Sequence, residues 1–104
     1  HLDVYYQHQI LSLLKTLAHQ HHITIVMSLH DLNLAANYCD HICLLDKGVM
    51  LAQGSPKSVL RSELLQQVFQ LPTQVRQDEI SGALRVDFYP PQDSISSQHK
   101  MAIL

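Results

Sequence analysis

The side chains best suited to chemistry in this sequence are the adjacent pair His30 and Asp31. They follow an apolar run, Thr24-Ile-Val-Met-Ser-Leu29, in which apolar residues do not alternate strictly with polar ones. Such a run is typical of a strand covered on both faces, as in a parallel α/β sheet. Open α/β sheets present their binding and catalytic groups at the carboxyl ends of the strands. The pattern therefore predicts a strand from Ile23 to Leu29 that points His30 toward a ligand crevice.

The residues after His30 predict the element that holds it from the other side. Apolar residues recur there at the i, i+3, i+4, i+7 spacing of one helix face, namely at Leu32, Ala35, Ala36 and Cys39. We therefore predict a helix over 32–38 and place His30 on a strand-to-helix turn. The alternative is that His30 is only a polar residue that ends a strand.

Helices and short strands are predicted on both sides of this turn. Asp3 can cap a helix running from about Val4 to Ala18, with its inner face formed by Ile10, Leu14 and Leu17. Two short strands, Ile42–Leu45 and Val49–Gln53, are predicted to form a hairpin joined by three residues, Asp46-Lys47-Gly48, with a bulge.

Further along, Ser55-Pro56 is a cap followed by proline at the first helical position, which predicts a short helix. Residues 61–70 form another helix pattern, with four apolar side chains inward: Leu64, Leu65, Val68 and Phe69. Beyond Pro72 the period changes to two: Leu84–Phe88 alternates, and Val75 marks a partner strand. From Pro90 onward the sequence is polar and predicts a disordered tail.

Cys39 and Cys43 flank Asp40-His41-Ile42 and raise the question of a metal site. Cys39 falls on an apolar helix face and Cys43 inside a predicted strand. A structural zinc needs further ligands at recognised spacing, and none is in register. We therefore expect both cysteines to be buried as small apolar residues.

Four short motifs, in matching order and spacing, resemble the ATP-binding cassette (ABC) ATPases. His1-Leu2-Asp3-Val4 resembles the end of the D-loop, and Thr24–Asn33 resembles the switch-histidine region. The stretch 43–54 resembles the hairpin that follows, and 55–60 the short helix after it. The resemblance covers about residues 1–89. The sequence His-Asp-Leu-Asn at 30–33 and the short tail after Leu71 are most similar to those of importers of iron-siderophores, haem and vitamin B12.

This resemblance implies an α/β fold that is the C-terminal part of a P-loop NTPase domain, with a parallel strand, helices and a small terminal β-hairpin. It divides the chain into an ATPase portion (1–71), a small hairpin element (72–89) and a tail (90–104). It also implies that His30 is the catalytic residue that contacts the γ-phosphate of ATP bound with Mg²⁺. Asp3 would contact the nucleotide across a dimer of ATPase subunits.

Further implied partners are transmembrane permease subunits and, indirectly, a periplasmic or surface binding protein. The implied location is peripheral, at the cytoplasmic face of the inner (plasma) membrane. Several parts of the family's machinery do not occur in these 104 residues: there is no phosphate loop, no signature and no Walker B Asp-Glu, and the sequence has three glycines. We therefore expect a fragment of a longer subunit that does not hydrolyse ATP alone.

Composition excludes some other functions. A net charge of −2 and a pI near 6.4 give no basic surface for nucleic acid, and no apolar run of 18 or more residues could span a membrane. Two alternatives to the ABC interpretation stay open. One is a metal-dependent hydrolase that uses His30 and Asp31, with Asp40 and His41 as further ligands. The other is a non-catalytic interaction module.

Overall fold

The structure is a computed structural model that describes residues 3–91. Within them, in chain order, lie helices α1 (Val4–His21) and α2 (Leu32–Tyr38), strands β1 (Ile42–Asp46) and β2 (Val49–Gly54), helices α3 (Pro56–Val59) and α4 (Ser62–Phe69), and strands β3 (Thr73–Gln77) and β4 (Leu84–Phe88). The predicted helices and both predicted hairpins are confirmed. Most of the predicted tail, residues 92–104, lies outside the described residues. The division of the chain into units at residues 71 and 89 stays a prediction.

One predicted element is not formed: residues 23–29 are not a strand. A strand exists through its ladder of hydrogen bonds to a neighbour, and no described strand runs beside this segment. Three of its apolar side chains are exposed, Ile23, Val26 (90%) and Met27, while Ile25 and Leu29 are partly buried. The fold is α/β as predicted, but both described sheets are two-stranded and antiparallel, so the expected parallel strand is absent from residues 3–91.

Strands β1 and β2 pair antiparallel through a turn that is shorter than predicted. Asp46 pairs with Val49, which leaves a loop of two residues, Lys47 and Gly48, with φ of 50° and 79°. Positive φ at both positions is the type I′ geometry, whose twist matches that of the flanking strands. The predicted bulge exists but lies farther from the turn, where the register shifts between Leu44 and Leu45.

Strands β3 and β4 form the second hairpin, with Thr73 opposite Phe88 and Gln77 opposite Leu84. The Asp78 side chain closes its turn by accepting hydrogen bonds from the backbone N–H groups of Ser81 (2.8 Å) and Ile80 (3.2 Å). Hydrogen bonds from Ser81 hold the pKa of Asp78 below its ordinary value, and the one from the Ser81 backbone has the larger effect. The Asp78 carboxylate therefore supports this turn together with two backbone hydrogen bonds of 2.8 Å, from the Asp78 N–H to the Ala83 carbonyl oxygen and from the Gly82 N–H to the Asp78 carbonyl oxygen.

One apolar cluster joins α2, both hairpins, α3 and α4. Its buried members are Ala35, Ala36, Ile42, Leu44, Val59, Leu60, Leu65 and Val86. Leu65 points into it as predicted, while Phe69 is 42% exposed and packs on Phe88, with ring centroids 5.1 Å apart. The elements after Leu29 therefore pack around this cluster.

Helix α1 is attached to the rest by few contacts. Its buried residue is Leu11, not the predicted Ile10, which is 45% exposed. The other predicted inward residues of this helix are only partly buried, Leu14 and Leu17. A hydrogen bond of 2.5 Å between His8 Nδ1 and the Tyr38 hydroxyl connects α1 to α2. The helix runs one turn beyond its predicted end and stops at His22, which takes the left-handed φ of 54°. No helix within residues 3–91 is long and apolar enough to cross a membrane.

Candidate functional site

The turn that carries His30 is anchored on both sides by leucines. Leu29 and Leu32 are partly buried and pack against the apolar cluster, and His30 lies between them with its side chain exposed. Within residues 3–91, the imidazole makes no hydrogen bond or ion pair. The backbone around His30 is therefore held in place while the ring remains accessible to a ligand.

Asp31 has a structural role in this turn. Its Oδ1 accepts hydrogen bonds from the backbone N–H groups of Asn33 (2.8 Å) and Leu34 (3.2 Å), so it caps the N-terminus of α2. An aspartate in this position satisfies backbone donors that a helix start leaves without partners. The cap fixes the first turn of α2 and with it the direction in which the chain leaves His30.

The geometry does not favour the metal-hydrolase alternative. No group of three or more histidine, cysteine, aspartate or glutamate side chains within residues 3–91 could hold a metal ion. The carboxylate of Asp31 is occupied by the helix cap, and His41 Nε2 lies 3.3 Å from Gln53 Oε1, on the first hairpin. His30 therefore follows the segment 23–29, and Asp31 caps α2. The two residues do not form a pair of metal ligands.

The cysteines differ from each other. Cys39 is partly buried and packs against the apolar cluster; its burial, then the charge of Asp40, raises the pKa of the thiol. Cys43 is exposed and free, so the prediction that it is buried is wrong. Alternate residues of an antiparallel strand face opposite sides, and on β1 it is Ile42 and Leu44 that face the core.

Asp3 lies at the start of α1, on a different part of the molecule. Its Oδ1 accepts a hydrogen bond of 3.1 Å from the backbone N–H of Tyr6, and the residue is exposed. No hydrogen bond or ion pair connects Asp3 with His30 in the described part of the chain. The two predicted site residues are therefore not brought together within one copy.

Asn33 is the polar residue of this site that sequence analysis missed. Its side chain makes two hydrogen bonds to the backbone of Val86 on β4: Nδ2 donates to the carbonyl oxygen (3.1 Å), and Oδ1 accepts from the N–H (2.7 Å). These residues are 53 positions apart in sequence. The available signal was the inward position of Val86 in an alternating strand, but no pattern in the sequence names the partner of a side-chain amide.

For nucleotide chemistry, the described residues offer the exposed imidazole of His30, which can donate a hydrogen bond to a phosphate oxygen. They do not offer a cluster of carboxylates for Mg²⁺. Within residues 3–91 the arrangement thus offers one hydrogen-bond donor that could contact a phosphate oxygen.

Known proteins similar to this chain share one description. The hemin import ATP-binding protein HmuV of Hydrogenovibrio crunogenus is 42% identical over 74 residues, covering 71% of this chain. The achromobactin transport ATP-binding protein CbrD of Dickeya dadantii is 42% identical over 77 residues, covering 74% of this chain. The chain spans 29% of the length of each of these curated relatives. No family model matches the chain.

The fold is also similar to a solved structure. A metal-chelate type ABC transporter in an inward-facing conformation aligns with 88% of this chain at a TM-score of 0.72 and 29% sequence identity, over 37% of the length of that chain. Agreement over this share of the residues means that the helices and hairpins described above follow the same arrangement in both proteins.

Proposed function

Because this chain belongs to the ATP-binding subunits of ABC importers, we propose that it is part of a subunit that hydrolyses ATP to energise uptake of haem or an iron-siderophore. The observation that carries this proposal is the 42% identity over 74 residues to a hemin import ATP-binding protein. Relatives named for achromobactin and siderophore transport support the same substrate class. Vitamin B12, which the motifs also suggested, stays a prediction.

The proposed catalytic role of His30 follows from what phosphoryl transfer requires. Transfer of a phosphoryl group depends mainly on positioning and on stabilising charge. An imidazole that is exposed between two anchored leucines can donate a hydrogen bond to the γ-phosphate and orient the attacking water. In this proposal ATP supplies the phosphoanhydride, and Mg²⁺ is held by residues beyond this chain.

The remaining parts of the proposal concern assembly. Asp3 would contact the nucleotide across a dimer of ATPase subunits, which fits its exposed position at the start of α1. Permease subunits would hold the dimer at the cytoplasmic face of the membrane, and a binding protein would deliver substrate to the permease. The 104 residues contain no Gly-x-x-x-x-Gly-Lys phosphate loop, so we propose that this chain alone does not turn over ATP.

The test compares two histidine variants in the full-length subunit. We expect His30→Ala to lower kcat for ATP hydrolysis by about 10²- to 10³-fold, as removal of one transition-state donor does in other enzymes. Nucleotide binding should change little, because the phosphate loop supplies most ground-state contacts to the phosphates. His41→Ala is the matched control, since His41 is also exposed but lies beside the first hairpin, where its Nε2 is 3.3 Å from Gln53 Oε1.

Steady-state ATPase assays and nucleotide titrations measure the two quantities. Unchanged turnover in His30→Ala, or an equal loss in both variants, would contradict the role of His30. The 104-residue chain assayed alone provides a further arm, in which measurable ATP turnover would contradict the proposal that the nucleotide site lies mostly outside it.

A further inference from the structure

Asn33 and Val86 form a clasp between helix α2 and the second hairpin. The side-chain amide of Asn33 hydrogen-bonds both the carbonyl oxygen (3.1 Å) and the N–H (2.7 Å) of Val86. In an antiparallel ladder the N–H and C=O of a residue point to the same side. That side alternates from one residue to the next. Tyr89 donates its N–H across the ladder to the Pro72 carbonyl oxygen (2.9 Å). Val86 lies three residues before Tyr89, opposite Val75, so its two backbone groups are directed away from β3. The amide of Asn33 thus takes the place that a third strand would occupy beside β4.

The clasp connects the hairpin to the turn of His30 over a short path. Asn33 is the second residue of α2, and its own N–H is one of the two that Asp31 caps. The clasp residues are also held by packing, because Val86 is 3% exposed in the cluster that contains Ala35 and Ala36. A shift of β4 would therefore move the first turn of α2, three residues from the imidazole.

We propose that Asn33 is a positioning residue for ATP hydrolysis: it fastens the hairpin of residues 73–88 to the switch-histidine turn and so fixes the approach of His30 to the γ-phosphate. This inference depends on the function proposed above. The hairpin would then contribute to catalysis through the Asn33 amide, in addition to packing on the apolar cluster.

The test is a double-mutant cycle in the full-length subunit. Asn33→Leu has a similar volume and removes both hydrogen bonds. We expect it to lower kcat for ATP about 10-fold while KM for ATP changes less than about two-fold, since losses confined to the transition state appear in kcat. Asn37→Leu is the matched control, because Asn37 lies one turn farther along α2 and its side chain makes no hydrogen bond within residues 3–91.

The cycle separates positioning from stability. If Asn33 acts through His30, Asn33→Leu causes no further loss in a His30→Ala background. An equal fold-loss in both backgrounds, or unchanged kcat in Asn33→Leu alone, would overturn the inference while leaving the proposed function intact. Unchanged turnover in His30→Ala would overturn both.

A second variant covers the case in which Asn33→Leu does not fold. Asn33→Asp keeps an acceptor for the Val86 N–H and loses the donor to the carbonyl oxygen, so it removes one of the two hydrogen bonds. We expect an intermediate loss of kcat that again disappears in the His30→Ala background. A wild-type kcat in folded Asn33→Asp, confirmed by thermal unfolding, would overturn the clasp as a positioning device.

Discussion

Residues 3–28 and residues 29–91 use their apolar side chains in opposite ways. In the first region Leu11 is the buried apolar residue, and large apolar side chains are exposed at Val4, Tyr5, Tyr6, Ile10, Leu13, Ile23, Val26 and Met27. In the second region a continuous cluster buries side chains from three helices, two strands and Leu60, which connects α3 to α4. Large apolar side chains are exposed in the second region as well, Ile80 most of all at 98%, but that region also has a buried apolar cluster, to which residues 3–28 contribute no buried side chain.

The two regions differ in whether their apolar side chains meet other elements within residues 3–91. In residues 29–91 the predicted inward faces of α2 and α4 meet other elements of the same region, and the hairpins pair within themselves. In residues 3–28 the run at 23–29 has the composition of a strand covered on both faces, yet no described strand lies beside it. Under the proposed function, the rest of the ATPase core covers these side chains, as expected for apolar surface of this extent.

The test with the largest expected effect truncates one apolar side chain in each region. Leu65 is fully buried, at 0% exposure, and Val26 is 90% exposed. We expect Leu65→Ala to lower the free energy of unfolding of this chain by about 2–5 kcal/mol, the usual cost of a cavity at a buried leucine. Val26→Ala should change it by less than about 0.5 kcal/mol.

Urea unfolding at one fixed chain concentration measures both values. A loss in Val26→Ala as large as that in Leu65→Ala would mean that residues 23–29 are buried in solution, by self-association of exposed segments or by another packing of the chain. The contrast between the two regions would then not hold for the chain in isolation.

The second test asks how closely the packed region is fitted, using two glycines of positive φ. Gly54 (φ 147°) precedes α3, and a Cβ built there would lie 2.5 Å from Ser58 Oγ. That hydroxyl cannot move freely, because it donates to the Ser55 carbonyl oxygen (2.9 Å) in the cap of α3. Gly82 (φ 75°) has no atom within 4 Å of its built Cβ.

Both alanine variants carry a backbone cost of positive φ, about 1–2 kcal/mol at Gly82, near the left-handed region, and about 1–3 kcal/mol at Gly54, whose φ lies outside it. Gly54→Ala should cost roughly 1–3 kcal/mol more, through overpacking. The measurement is the difference between the two urea midpoints at constant m-value. Equal midpoints would show that the start of α3 gives way without loss, and that the packed region is less tightly fitted than its burial suggests.

The elements that sequence analysis predicted correctly are those with local signals. Asp3 and Ser55 each cap the helix that follows them, as predicted, and a cap is readable because donor and acceptor are within three residues of each other. The alternation at Leu84–Phe88 predicted β4 for the same reason. Helix starts and hairpin strands could therefore be derived from short stretches of sequence.

What could not be predicted depends on partners distant in sequence. Whether residues 23–29 form a strand is decided by neighbours, not by their own composition. The exposure of Cys43 depends on which face of the first hairpin meets the core, and a strand of five residues can be turned either way. The Asn33–Val86 clasp joins positions 53 apart. For the candidate site, the sequence predicted the turn of His30 but not the amide that ties this turn to the hairpin.

The smallest test compares the helix caps of the two regions. Asp31 accepts from two backbone N–H groups at the start of α2, whereas Asp3 accepts from one, that of Tyr6, at the start of α1. Replacing a capping aspartate by alanine costs about 1 kcal/mol. That cost reaches global stability only where the helix end unfolds together with the core.

We therefore expect Asp31→Ala to lower the free energy of unfolding by about 1 kcal/mol and to speed hydrogen exchange at the amides of Asn33 and Leu34. Asp3→Ala should speed exchange only at the first turn of α1, with a global loss too small to resolve, because that turn is exposed and frays without disturbing the cluster. Asparagine variants at both positions keep an acceptor oxygen and serve as controls. A global loss in Asp3→Ala equal to that in Asp31→Ala would mean that α1 unfolds with the core, so that the two regions form one cooperative unit.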